Sequence, residues 1–343
     1  MNEAVDPFEF FFDKSWSDGL PVVPPTKERI IWMLQGTKRP PDELLGSIPP
    51  AGYEATVEQA AIHAVMAGAK PEYLPAILGV LEAVLVKEFN LNGIQGTMGP
   101  GGPMVIFNGP FARQIGIHGG SGCMGPGFRA NLSIGRTLRL MMMNLGGGIP
   151  GVSDMSCFGS PVKISFCIRE NEEQSPWPSL SSDFDFGPDD DVGTVFPAEG
   201  PHRAFDDASS KPEGVLSMIA SVMSTMGSTH AYLRQHMIIA MGPDHAEIMR
   251  KGGFSRWDVK QRLHKLARLP VGQLKSGGRY HEAAPVGWPE WVDRNDNECL
   301  VPMIHDPEDI LLLVAGGRPG PHTVVVPGWN NASRMVSIRF RTD

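Results

Sequence analysis

The chain has 343 residues, 41% of them hydrophobic and 20% charged, with a formal net charge of -8. This length suits one large or two ordinary domains with a substantial core. The acidic balance argues against a nucleic-acid backbone as the main partner, but it leaves room for a local basic pocket that takes a small anion.

The first residues, MNEAVDPFEFFFDKSW, lack a basic leader before a small-residue cleavage site. No apolar run reaches the ~18–20 residues needed to cross a bilayer. Cys123, Cys157, Cys167 and Cys299 are too widely spaced for a dense disulfide framework or a zinc finger. A cytoplasmic protein with free thiols, and with neither nucleic acid nor membrane as partner, is expected. Glycine and proline are abundant but follow no period, so constrained turns are expected rather than a collagen-like or disordered chain.

In chain order, Thr26 is suited to cap a helix over Lys27–Gln35, with Ile30, Ile31 and Leu34 on its apolar face. Asp18, just before it, reads as a turn residue. Thr56–Ala67 reads as a helix, with His63 in a core or cap role. A second helix runs from near Pro71 toward Lys87, with Leu74, Ile77, Leu78, Leu81 and Leu85 as its buried stripe. Met104–Phe107 is a strand that the Asn108-Gly109-Pro110 turn should stop. A helix from Phe128 or Arg129 to about Asn144 ends at three glycines. Ile164–Ile168 is another strand, and Asp183–Asp191 is an exposed acidic connection. Beyond it come a helix over Gly214–Met226, a strand at Met237–Met241, helices at Asp244–Lys251 and Arg256–Leu269, and strands at Ile310–Ala315, Thr323–Val326 and Met335–Arg341. This mixture predicts an α/β or α+β fold with glycine-rich functional loops. It is compatible with two lobes, 1–200 and 201–343.

Twelve glycines fall between Gly93 and Gly127. Within IHGGSGCMGPGFRANLSIGRTLRL the order of a P-loop is absent. Gly120, Gly122 and Gly125 satisfy G-x-G-x-x-G, but Pro126 and Gly127 delay the helix, which argues against a dinucleotide fingerprint. The loop suits other chemistry. Backbone amides around Gly120, Gly122, Gly125 and Gly127, together with a following helix N-terminus, favour an anion and a Cys123 thiolate. His118, five positions earlier, is a candidate to exchange a proton with Cys123 or a leaving group. Arg129 and Arg136 lie seven apart, on similar faces of the helix, and are candidates to neutralise a substrate carboxylate or phosphate. Arg139 is expected to pair with Glu170, Glu172 or Glu173. Asn108 is a candidate to orient a carbonyl or water, and Arg113 is a weaker ligand candidate.

Glu170 and Glu173, with His322 beside GGRPGPH, form an alternative set for a divalent cation or for orienting His118. The other histidines fit no compact ligand motif and read as caps, core groups or surface residues. Trp177 in SPWP reads as a loop-packing aromatic.

The strings WSDGLPVVPPT, AGAKPEYLP, IFNGP, GPGFRANLSIGRTLRL and ENEEQSPWP resemble a poorly characterised bacterial family related to UGSC-like proteins. The resemblance spans much of residues 16–180, with weaker matches at GPDHAEIMRKGGFS and LLLVAGGRPGPHTVVVPG. It implies a shared fold and names no reaction. The family's selenocysteine-type motif is not evident here.

The sequence thus predicts a small-molecule enzyme acting on a carboxylate-, phosphate- or carbonyl-bearing substrate. It would be a hydrolase, lyase or group transferase using Cys123 and His118. The alternatives are a non-catalytic small-anion binding or sensory protein, and a metal-dependent hydratase or hydrolase. Apolar helices and hairpin-like C-terminal strands suit either one core or an interface between copies of the chain.

Overall fold

The computed structural model describes residues 6–233, 236–277, 290–330 and 332–342; His281, expected as a cap or surface group, lies outside them. Helices alternate with mixed sheets, so the fold is of the α/β or α+β kind. Two compact units are present. One comprises Met1–Glu170, Ser181–Pro197 and Ser333–Asp343; the other comprises Asn171–Leu180 and Ala198–Ala332. The division is therefore not a single cut near residue 200. The C-terminal strand pairs within the first unit's sheet, which draws the chain's last residues back into that unit.

In the first unit, α1 (Pro7–Asp13) is capped by Asp6 and α2 (Lys27–Leu34) by Thr26. The antiparallel pair β1 (Leu44–Ile48) and β2 (Tyr53–Thr56) follows. Thr56 then caps α3 (Val57–Met66). A 3-10 turn at Pro71–Tyr73 leads into α4 (Leu74–Leu85), and α5 (Leu91–Gly96), β3 (Gly102–Asn108), α6 (Pro110–Gln114) and α7 (Arg129–Asn144) come next. The unit's remaining strands are β4 (Cys167–Arg169), β5 (Val192–Ala198) and, after the strands of the other unit, β12 (Val336–Arg339).

The first sheet has the order β12-β5-β3-β4. β12 runs antiparallel to β5, and β3 runs parallel to β4 with Phe107 opposite Arg169. Helix α4 packs on α3, α7 and β12, and Leu74, Ile77, Leu78 and Leu81 are all buried. Each such side chain contributes about 1.5–3 kcal/mol relative to exposure. Phe340 closes this layer edge-on against Phe107 and Phe111.

The expected strand at Ile164–Ile168 is displaced. Pro161–Lys163 forms a 3-10 turn, and pairing with β3 begins only at Cys167. Ser165 is held by a hydrogen bond from its hydroxyl to the Asn131 carbonyl, and Lys163 by both carboxylate oxygens of Asp154, so side-chain contacts set this backbone before the ladder starts.

In the second unit, β6 (His202–Phe205), α8 (Pro212–Met223), α9 (His230–Leu233), β7 (Met237–Met241), α10 (Pro243–Lys251) and α11 (Arg256–Leu266) are followed by β8 (Arg268–Pro270) and α12 (Val271–Lys275). Then come β9 (Leu300–Pro302), β10 (Ile310–Val314) and β11 (His322–Pro327). The sheet order is β10-β7-β11-β6, with β10 parallel to β7 and β11 antiparallel to both its neighbours. The apolar runs of β7 and β10 are buried along their whole length, which explains their lack of alternation. Helix α11 stops before the expected Leu269 because residues 268–270 pair with β9. Trp177 packs on this unit's core and donates its indole N–H to the Phe254 carbonyl at 3.1 Å.

Candidate functional site

β3 and β4 are parallel, so their carboxyl ends deliver Asn108 and Glu170 to the same edge of the sheet. Both side chains are fully buried, and Asn108 Nδ2 donates to Glu170 Oε2 at 2.7 Å. The Glu170 amide donates to the Phe107 carbonyl, which continues the strand pairing one residue past the ladder. The Asn108 amide therefore orients a carboxylate of the protein itself.

The glycine-rich loop crosses this edge. The Arg169 amide donates to the His118 carbonyl at 3.3 Å, and Arg169 Nε donates to the Ile117 carbonyl at 3.1 Å. Gly119 lies so close that a Cβ there would come within 3.0 Å of the Arg169 carbonyl oxygen. Asn131, in the first turn of α7, holds the loop from its other side. Its Oδ1 accepts from the His118 amide at 2.8 Å, while its Nδ2 donates to the carbonyls of His118 at 2.9 Å and Cys123 at 3.2 Å. One buried amide thus fixes the backbone of both predicted reactive residues.

The loop itself is a succession of tight turns: the Cys123 amide donates to Gly120 and the Gly125 amide to Gly122. Gly122 and Gly127 have φ of +76° and +115°, a region closed to most side chains. Gly120 and Gly125 meet only the His118 ring and the Gly122 carbonyl. The His118 ring stacks on Phe128 with centroids 3.7 Å apart and planes 14° apart. Its Nε2 lies 3.0 Å from the Ser121 carbonyl, so that nitrogen carries the hydrogen in this arrangement. In the neutral ring Nδ1 is then the basic atom. Cys123 is 5% exposed.

The arginines fall otherwise than expected. Exposed Arg129 donates to the carbonyls of Gly68 and Ala69, which ties the start of α7 to the turn after α3. Arg136 forms a bidentate pair with Asp18 at 2.8 and 2.7 Å and also reaches the carbonyls of Leu20 and Pro21. Asp18 is thus the anchor of a partly buried ion pair. Arg139 faces Asp154 at 3.8 Å, in place of the expected pairing with Glu170, Glu172 or Glu173. Arg113 is exposed near the end of α6.

Glu170 belongs to the first unit, whereas Glu173, exposed on a 3-10 turn, and His322, the first residue of β11, belong to the second. Among the described residues, the set of three ligand-type side chains within 4.8 Å of one another is His305, Asp306 and Asp309, which includes none of the residues expected to hold a divalent cation. His305 and Asp306 are exposed, 2.6 Å apart. Three other histidines bond backbone or hydroxyl oxygens of the protein. His63 Nδ1 bonds its own helix at the Gln59 carbonyl, and burial lowers its pKa. His245 bridges Thr323 Oγ1 and the Asp206 carbonyl, and burial again lowers its pKa. His264 reaches the His305 carbonyl.

Cys123, Cys157, Cys167 and Cys299 form no disulfide. Burial pushes the Cys167 thiol well above its ordinary value, so it stays protonated. Cys157 is exposed. Among the described residues no helix is long and apolar enough to cross a membrane. No protein-family model matches the chain, and no curated protein matches it.

Asn131 was not legible as a site residue. It sits in the helical string RANLSIGR, where an asparagine near an N-terminus is ordinary. The only local signal was its position one turn into a helix that follows a glycine-rich loop.

Proposed function

We propose that the protein is a small-molecule enzyme acting on a carboxylate-, phosphate- or carbonyl-bearing substrate, in the hydrolase, lyase or group-transferase class. Cys123 supplies the nucleophile or thiol acid, and His118 moves the proton through Nδ1. The observation that carries this reading is the Asn131 clamp. It holds the backbones of His118 and Cys123 together at the carboxyl ends of parallel β3 and β4. Open α/β sheets characteristically bind their ligands at that edge.

Helix α7 supports the anionic part of the substrate. It is 16 residues long, and no side chain caps its N-terminus, so its first-turn amides and dipole favour negative charge beside the loop. Asn108 and Glu170 brace the strand ends beneath. The reading includes a cytoplasmic setting and kinship with the UGSC-like family, which rests on the sequence strings alone. The burial of Cys123 favours one second reading, a non-covalent anion-binding or sensory role for the same loop.

Alkylation separates the two. Iodoacetamide at neutral pH should modify Cys123 ahead of exposed Cys157, and His118→Gln should slow Cys123 alone. If Cys123 stays unmodified while Cys157 reacts, the cysteine mechanism is overturned and the binding reading stands.

A further inference from the structure

The C-terminal half of α7 borders a cavity of about 350 Å³ within the first unit, lined among others by Arg139, Asp154, Cys157, Phe158, Lys163 and Ile164. Charge accounting singles out one of these groups. Asp18, also on the wall, is occupied by both branches of Arg136. Asp154 receives the Lys163 ammonium on both oxygens at 2.9 Å. Arg139 remains as the surplus cation. Its nearest carboxylate oxygen is 3.8 Å away, and its side chain is only 11% exposed. Among the described residues its guanidinium donates no hydrogen bond. Burial lowers its pKa, opposed by Asp154 and Asp18.

A guanidinium with unused N–H donors on the wall of a cavity is fitted to a planar or tetrahedral oxyanion, which it can grip with two parallel hydrogen bonds. The rest of the wall is not purely polar. Phe158 is fully exposed and Ile164 is 46% exposed, so an apolar group would shield surface that water now covers.

We propose that this cavity is a second ligand site, which takes a small organic carboxylate or phosphate with its anionic head on Arg139 and its apolar part against Phe158 and Ile164. The site is independent of the Cys123 reading and uses none of that site's residues.

Cys157 on the cavity wall is a built-in reporter. Iodoacetate and iodoacetamide both transfer a carbon to the thiolate sulfur and release iodide; they differ in one negative charge. Their relative rates at Cys157, read from the peptide by mass spectrometry, are compared in the folded protein and in the same chain unfolded by urea. The iodoacetate-to-iodoacetamide ratio should be about tenfold higher in the folded protein, the factor that 1.4 kcal/mol supplies. Arg139→Gln should return the ratio to the unfolded value. Benzoate or phenyl phosphate, but not benzamide, should slow the reaction. Protection by benzoate alone identifies a carboxylate site, and protection by phenyl phosphate alone a phosphate site. A folded ratio equal to the unfolded one overturns the proposal, as does equal protection by benzamide and the two anions. The wild-type ratio decides the matter even where Arg139→Gln does not fold. Its failure leaves the Cys123 result untouched, because that reaction is read at a different residue with a neutral reagent.

Discussion

Replacing Asn131 with alanine probes the clamp directly. The change removes three hydrogen bonds, of 2.8, 2.9 and 3.2 Å, and leaves the His118 amide and two carbonyls without those partners. At about 1 kcal/mol net for each bond, the first unit should lose about 3 kcal/mol. A urea slope of about 1–3 kcal/mol/M converts that loss into a midpoint about 1–3 M lower. Cys167 reports this unit by itself. It is 4% exposed on β4, and burial holds it as the unreactive thiol until the strand opens. Brief thiol labelling across a urea series, quantified at the Cys167 peptide, gives the midpoint. Asn131→Asp keeps the acceptor for the His118 amide but sets a carboxylate against two carbonyls, so it should be at least as unstable as the alanine variant. A midpoint within about 0.3 M of wild type for both variants would show that the clamp contributes little and that the loop is held by other contacts.

Three further outcomes follow from the same contacts. Asp18→Ala leaves Arg136 partly buried without its carboxylate and should cost about 3 kcal/mol by the same labelling measurement; an unchanged midpoint would mean that the pair is dispensable. Gly119→Ala forces a Cβ against the Arg169 carbonyl and should cost about 1–3 kcal/mol while changing Cys123 labelling more than Cys157 labelling, which peptide mass spectrometry checks. In the second unit, His230 is fully buried and its Nε2 accepts the Gly328 amide; burial lowers its pKa from 6.5 to about 3. Folded His230 therefore stays neutral while the unfolded chain takes up a proton below pH 6.5. Its stabilisation is complete above that value and is lost on acidification toward pH 3, by about 2 kcal/mol at pH 5. Amide exchange in β7 and β11 should quicken accordingly between pH 6.5 and 5 after correction for intrinsic rates, and His230→Gln should flatten that dependence.

Local signals were legible in the sequence. The Thr26 cap and the span of α7 each depend on neighbours within a turn or two, and the structure forms them as the pattern implies, whereas α4 is buried on nearly every side rather than along one stripe, with Leu85 only half-buried. Long-range partners were not legible. Asp18 and Arg136 lie 118 residues apart, and nothing in WSDGLP distinguishes a turn aspartate from the acceptor of a partly buried arginine. β5 gives no strand signal because VGTVFPA carries a glycine and a proline and is buried at every position, so it shows no alternation. The candidate loop could be found from its glycines and its His-Cys spacing. The residue that organises it could not, because Asn131 acts on backbone groups 8 and 13 positions away through a turn whose path only the fold determines.

The most direct test of the Cys123 proposal is a crystal structure of the native protein soaked with 2-oxoglutarate and, separately, glycerol 3-phosphate. Density for one of these probes is expected against the 118–127 loop, with its anionic group toward the start of α7 and an atom within reach of both Cys123 Sγ and the His118 ring. Probes that bind only elsewhere, with Cys123 still covered, would contradict it.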